Sequence, residues 1–166
     1  RIFNTYGPKM AVDDGRVVSN FITQALANHP ITIYGSGLQT RSFCFIDDLI
    51  TGLMNLMRMD ENLTTPINLG NPTEITISDL ASMVIGLTNS RSKLTNCPLP
   101  EDDPRQRKPD VSMAKKLLHW KPEIDIHTGL QKTIDYFQSL FAEPNCKTKE
   151  IEAQASQFII KNKKEV

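Results

Sequence analysis

The chain opens on RIFNTYGPKM, in which three residues of strand character run into the small polar pair Asn4-Thr5 and a Tyr6-Gly7-Pro8 turn. Apolar residues that give way to polar ones and then to a Gly-Pro turn suit the carboxyl end of a parallel strand. That is where an open α/β sheet delivers side chains to a ligand. A strand of this kind needs neighbours on its edges. The stretch therefore predicts that Arg1 to Phe3 end a buried strand and that the chain is the second half of a larger unit.

The segments that follow alternate in period. Arg16 to Asn28 place Val17, Val18, Phe21, Ile22, Ala25 and Leu26 on one helical stripe, with Asp13-Asp14-Gly15 as the start and Pro30 beyond the end. Ile31 to Tyr34 read as a short strand, Gly35-Ser36-Gly37 as a hairpin turn, and Thr40 to Phe45 as a second strand. In that second strand Arg41, Phe43 and Phe45 share one side. A helix over about 47–59 buries Leu49, Ile50, Leu53, Met54 and Met57, so the methionines there are read as core rather than as a pliable binding surface. Pro66 to Gly70 form a short strand. Ile77 to Gly86 form a helix capped by Ser78, or by Thr76 with Asp79 at capping-box spacing.

From Thr88 to Asp110 prolines and the cluster EDDPRQRKPD predict a long ordered loop. Helices over 111–119 and 127–141 close the domain, with Trp120-Lys121-Pro122 between them. The expected fold is α/β: the carboxyl-terminal edge of a doubly wound, Rossmann-type parallel sheet with a small mixed α/β substrate-binding lobe. Residues 1–144 form the domain and 145–166 a flexible tail.

Charge excludes some functions. Nineteen basic residues balance nineteen acidic ones, so no overall field recruits nucleic acid or an anionic membrane. The cysteines, Cys44, Cys97 and Cys146, are too far apart for a zinc pattern and read as free thiols. His29, His119 and His127 stand singly at element ends, which suits surface or capping roles, and no metal site is expected. Gly35-Ser36-Gly37 is no phosphate fingerprint, because no helix follows it.

The arginines carry more. Arg41 points inward on its strand and needs a partner, since an unpaired buried charge is costly. Arg107 sits in RKP before a helix, and a guanidinium fork suits a diphosphate. For both, a ligand and an internal ion pair with Asp47, Asp48, Asp102 or Asp103 stand about level. Asn4 and Asn20 could hydrogen-bond a phosphate or a sugar.

Several blocks resemble a known family. RIFNTYGPKM, DDGRVVSNFITQAL, ITIYGSGLQTRSF, NLGNPTEITISDLA and QRKPD are similar to nucleotide-sugar enzymes of the extended short-chain dehydrogenase/reductase superfamily. Within it they resemble the UDP-glucuronate decarboxylase (UDP-xylose synthase) family, over about residues 1–141. The resemblance implies an NAD-dependent carboxy-lyase that oxidises UDP-glucuronate at C4, loses carbon dioxide and re-reduces the product to UDP-xylose. By the same resemblance Asn4 contacts the substrate phosphates, while Thr5 and Arg16 lie against the cofactor. Val18, Ser19 and Asn20 belong to the sugar-nucleotide pocket, and Ile33, Tyr34 and Gly35 pass the uridine. Arg41 and Arg107 hold the diphosphate and sugar end, with Arg107 also the candidate catalytic cation.

The Gly-rich fingerprint and the Tyr-x-x-x-Lys base of that family are absent from this sequence, and position 11 is Ala. The chain by itself is therefore expected to be inactive, and an unpaired sheet edge predicts poor solubility. A homodimer and a cytoplasmic location are expected, with a Golgi membrane anchor ahead of Arg1 left open. The alternatives are a non-catalytic nucleotide-sugar-binding or dimer-partner module, and a related 4,6-dehydratase or epimerase.

Overall fold

Period-two alternation, helical stripes and glycine turns share out the chain into short strands and five helices, seen here in a computed structural model that describes residues 1–59, 63–98 and 106–142. Strand β1 (Thr5–Tyr6) is followed by helix α1 (Val17–Leu26), β2 (Ile31–Tyr34), β3 (Thr40–Ser42), β4 (Cys44–Phe45) and α2 (Ile46–Met57). Then come β5 (Glu74–Thr76), α3 (Ile77–Thr88), β6 (Leu94–Cys97), β7 (Gln106–Arg107), α4 (Ser112–Leu118) and α5 (Ile126–Ala142). The strands make three small sheets, ordered β1-β4, β2-β6 and β5-β3-β7. Every pairing is parallel except β3 with β5. This α/β arrangement agrees with the fold class expected from the sequence. No helix among the described residues is long and apolar enough to cross a membrane.

Strand β1 lies a little later than expected. Ahead of it Arg1 to Phe3 run parallel to 67–69: Ile2 bridges Leu69, the Phe3 amide donates to the Leu69 carbonyl at 3.1 Å and the Leu69 amide to the Arg1 carbonyl at 2.9 Å, while the Ile2 side chain is 60% exposed. Thr5 and Tyr6 supply the strand: Thr5 pairs with Cys44 and Tyr6 with Phe45.

Gly35-Ser36-Gly37 is not a hairpin. β2 pairs with β6 while β3 pairs with β5 and β7, so this turn carries the chain from one sheet to another. Gly35 and Gly37 both adopt left-handed backbone, with φ of 69° and 74°. A Cβ on Gly37 would lie 2.1 Å from the Ser78 oxygen, and the Gly37 carbonyl accepts the Ser78 amide at 3.0 Å. That position requires glycine because the start of α3 presses on it.

The run Thr40 to Phe45 also divides, into β3 and β4 about Phe43. Arg41 to Phe45 are all buried, because the run passes between layers and both of its faces are covered. The expected long loop contains a strand as well. β6 pairs with all of β2, from Ile31 with Leu94 to Tyr34 with Cys97. Its side chains are mostly exposed and polar, so backbone hydrogen bonding makes this strand without a hydrophobic pattern. Residues 99–105, with Asp102 and Asp103, lie outside the described residues, as do the expected tail and Cys146.

Two apolar clusters hold the elements together. The larger gathers α1, β2, α3 and α5, including Phe21, Ile22, Leu80, Val84, Leu130, Ile134 and Phe137. Each of these buried side chains contributes roughly 1.5–3 kcal/mol. The smaller joins Leu49, Leu69, Val111, Leu118 and Trp120. The Trp120 indole NH donates to the Asp48 carbonyl at 2.8 Å. Gly52 lets this ring approach: a Cβ there would stand 3.1 Å from it and 2.9 Å from Leu69.

That close contact corrects the expected face of α2. Leu49 is buried, but Ile50, Met54 and Met57 are 46%, 44% and 84% exposed. The helix carries two apolar stripes, and Gly52 selects the one that meets Trp120. α3 begins as expected, with Thr76 as the cap: its hydroxyl accepts the Asp79 amide at 3.0 Å.

Candidate functional site

A cavity of about 250 Å³ opens between the start of β1, the loop before α1, the first turns of α1, β2 and β3. Thr5 of β1 and Asn4 just before it line one part of the wall. The loop contributes Met10, Gly15 and Arg16, α1 contributes Val17, Val18, Asn20 and Phe21, and β2 contributes Thr32 and Tyr34. Gln39, Arg41, Phe43 and Ile77 complete the wall. Polar side chains such as Asn4, Asn20 and Arg41 and apolar ones such as Val18, Phe21 and Phe43 share the lining, the usual make-up of a pocket for a polar organic ligand.

Backbone anchors fix the polar groups. The Asn4 amide donates to the Ser42 carbonyl at 3.2 Å, tying β1 to the β3–β4 junction. Thr5 hydroxyl donates to the Phe3 carbonyl at 2.9 Å. Gln39 donates to the Tyr34 carbonyl at 2.8 Å across the glycine turn. Gln24 on α1 brackets Thr32, donating to its hydroxyl at 3.0 Å and accepting its amide at 3.1 Å, which fixes β2 against the helix.

The loop before α1 is fastened to that helix at successive points. Asn20 donates to the Gly15 carbonyl at 3.1 Å, and Thr23 to the Val12 carbonyl at 3.5 Å. Asp14 accepts the Arg16 amide at 3.0 Å and the Arg16 Nε at 2.8 Å, together with the Ser19 hydroxyl. Burial alone would raise the Asp14 carboxyl, but these hydrogen bonds and the Arg16 charge outweigh it and hold the group below the ordinary aspartate range. Arg16 Nη1 reaches the Thr5 carbonyl at 3.4 Å, so the loop is joined to β1 across the mouth.

Arg41 is 8% exposed, and its Nη1 donates to the Thr40 carbonyl at 2.8 Å. Asp48 is directed elsewhere, its carboxylate accepting the Ile124 amide at 3.0 Å, and Asp47 is exposed. Arg107 stands opposite Arg41 in register on β7. It is exposed and outside the cavity wall, with the neighbouring Lys108 3.5 Å from Glu74.

Of the residues singled out from the sequence, Asn4, Thr5, Arg16, Val18, Asn20, Tyr34 and Arg41 line one cavity. Ser19, Ile33, Gly35 and Arg107 do not. Ser19 is fully buried and turned to Asp14, and Ile33 is 2% exposed in the core. Gly35 accepts from Asn96 at 2.6 Å in the turn. The alternation of β2 explains Ile33: Ile31 and Ile33 face the core, so Thr32 and Tyr34 must face the cavity. The same alternation was the signal for Thr32. Met10, Gln39 and Ile77 had no local signal, because tertiary contacts bring them in.

Cys44, beside the site on β4, is pushed up to about 12 by burial, with the Asp48 charge adding to it, so the thiol stays protonated and is a poor nucleophile. The Tyr6 hydroxyl is also raised, chiefly by burial. No group of three or more His, Cys, Asp or Glu among the described residues is arranged to hold a metal. A dinucleotide finds only partial fit. Thr5 and Arg16 offer a hydroxyl and a cation at the mouth, and no strand–Gly-rich turn–helix unit stands among the described residues to cradle a diphosphate.

Residues 1–70 match the NAD dependent epimerase/dehydratase family. UDP-glucuronic acid decarboxylase 1 of Danio rerio is 47% identical over 98% of this chain and 36% of its own length. UDP-glucuronic acid decarboxylase 4 of Arabidopsis thaliana is 49% identical over 86% of the chain and 32% of its own. The chain thus spans about a third of the length of these relatives. Among solved structures, the UDP-glucuronic acid 4-epimerase of Bacillus cereus in complex with UDP-glucuronic acid and NAD superposes with a TM-score of 0.79 at 31% identity. That match covers 84% of this chain and 44% of the epimerase. UDP-glucose 4-epimerase of Thermotoga maritima with UDP-glucose gives 0.80 at 25% identity, over 85% and 45%. By sequence and by fold the chain belongs to the NAD dependent epimerase/dehydratase family, in which its relatives are UDP-glucuronic acid decarboxylases.

Proposed function

We propose that this chain forms the substrate-binding wall of an NAD-dependent UDP-glucuronate decarboxylase, a carboxy-lyase that yields UDP-xylose and carbon dioxide. One observation carries the reading. Asn4, Asn20, Tyr34 and Arg41 converge on a single cavity in a chain 47% identical to a UDP-glucuronic acid decarboxylase. In this reading Asn4, Asn20 and Arg41 bind the diphosphate and sugar. Tyr34 borders the base, and Thr5 and Arg16 face the cofactor.

A bound NAD would supply the redox chemistry, the oxidation of the sugar at C4 and its re-reduction. The resulting ketone lies beta to the C6 carboxylate, so the electron pair of the breaking C5–C6 bond can flow into it as carbon dioxide leaves. The cavity keeps the sugar oriented while C5 is reprotonated, and the cation for the developing enolate is assigned to Arg107 by the family resemblance. Arg107 is in register with the cavity-lining Arg41 but outside the wall, so this role requires its side chain to turn inward when substrate binds. Catalysis requires a base and a dinucleotide fingerprint that this sequence lacks, so we propose that these 166 residues alone bind without turnover. We further propose a cytoplasmic homodimer as the working form.

The test is product analysis with the native polypeptide, UDP-glucuronate and NAD. Release of carbon dioxide with UDP-xylose supports the decarboxylase. A second reading, epimerisation at C4, is favoured by the superposition on the Bacillus cereus enzyme. It would give a UDP-hexuronate with its carboxylate intact. UDP binding without any reaction would favour a non-catalytic module.

A further inference from the structure

We infer that Asp14 is a positioning residue for the cofactor face of the site, acting through Arg16. The inference rests on the reading above, in which Arg16 faces the dinucleotide. The Arg16 side chain is 61% exposed and would sample many rotamers if left alone. The Asp14 side chain is only 13% exposed and has one place to be. One of its carboxylate oxygens accepts the Arg16 amide and the Ser19 hydroxyl, and the other accepts Arg16 Nε. Ser19 is itself fixed on α1, where its hydroxyl oxygen lies 2.9 Å from the Arg16 carbonyl and its one proton is shared between that carbonyl and the Asp14 carboxylate.

The carboxylate therefore grips both the backbone and the guanidinium of the same arginine, two residues away, and joins them to the helix. Using Nε leaves the outer edge of the fork directed across the mouth, where Nη1 meets the Thr5 carbonyl at 3.4 Å. Gly15 permits the tight link: its φ is 75°, and a Cβ there would touch nothing within 4 Å. Conformation rather than space is what glycine supplies. An arginine held in this way loses less freedom when an anionic group arrives, which is how preorganisation strengthens binding.

The test is titration calorimetry of NAD and, separately, of UDP, on the native polypeptide and on its Asp14→Asn, Arg16→Ala and double variants. The expected result is NAD binding about fivefold weaker in Asp14→Asn, the size of one partly exposed ion pair. UDP binding should be unchanged, and Asp14→Asn should have no further effect once Arg16 is Ala. Should Asp14→Asn fail to fold, Ser19→Ala removes the anchor of the carboxylate and is expected to weaken NAD in the same direction. Undiminished NAD affinity in Asp14→Asn, or additive losses in the double variant, would overturn the inference while leaving the decarboxylase reading intact. Absence of NAD binding by the unaltered protein would instead overturn both.

Discussion

Arg41 and Arg107 stand opposite each other in register on the parallel strands β3 and β7. The first is buried and lines the cavity; the second is exposed beyond its wall. Ser42 donates to the Arg107 carbonyl at 3.2 Å and so fixes the spacing between their backbones.

Replacement by lysine keeps each charge and removes the planar fork. We expect Arg41→Lys and Arg107→Lys in the native polypeptide to lower kcat/KM for UDP-glucuronate by about tenfold or more each, the worth of one bidentate contact. The Arg41 change should appear mainly in KM, and the Arg107 change mainly in kcat if that cation acts on the developing enolate. Steady-state kinetics with both variants decides between the roles.

The cap of α3 gives a stability prediction. Thr76 accepts the Asp79 amide at 3.0 Å, and its hydroxyl donates to the Asp79 carboxylate at 2.6 Å. Thr76→Ala removes both and should cost about 1 kcal/mol. Urea unfolding would show this as a lower midpoint with an unchanged slope. Asp79→Ala added to Thr76→Ala should do little more, because the two side chains work as one cap.

Gly129, near the start of α5, is held by contact rather than by conformation. A Cβ there would stand 2.1 Å from the Tyr6 oxygen and 2.9 Å from Phe45. Alanine favours helices, yet here it should destabilise by about 1–3 kcal/mol through overpacking. A thermal melt of Gly129→Ala that rises instead would show that the Tyr6 ring can move aside.

Cys44 links stability to alkaline pH. Its folded thiol titrates near 12 against an ordinary value of 9.0. Because the folded value is raised, its stabilising contribution is complete below about pH 9. It is lost as pH rises toward 12, where the unfolded chain releases the proton first. Denaturant midpoints at pH 8 and pH 10.5 should fall less in Cys44→Ala than in the unaltered protein. Iodoacetamide at pH 8 should leave Cys44 unmodified in the folded state.

Much of the local structure was legible in the residues themselves. Apolar spacing set α1, α3 and α5, and Thr76 with Asp79 set the start of α3, because these depend on contacts a few residues apart. The polar pair after Ile2-Phe3 marked residues that reach the cavity, but alternation did not single out Arg41, since residues 41–45 are all buried. Other features required the assembled fold. Whether α2 buries Leu49 or Ile50 depends on Trp120, 72 residues away from Asp48, whose carbonyl it holds. That Gly35-Ser36-Gly37 crosses between sheets, and that exposed residues 94–97 form a strand, depends on the pairing of β2 with β6. Backbone hydrogen bonds between distant segments leave no period in the side chains. The sequence by itself therefore determined which segments are helical and which side chains could meet an anion. Only the tertiary structure decided which of them share one cavity, since that is settled by packing between elements far apart in the chain.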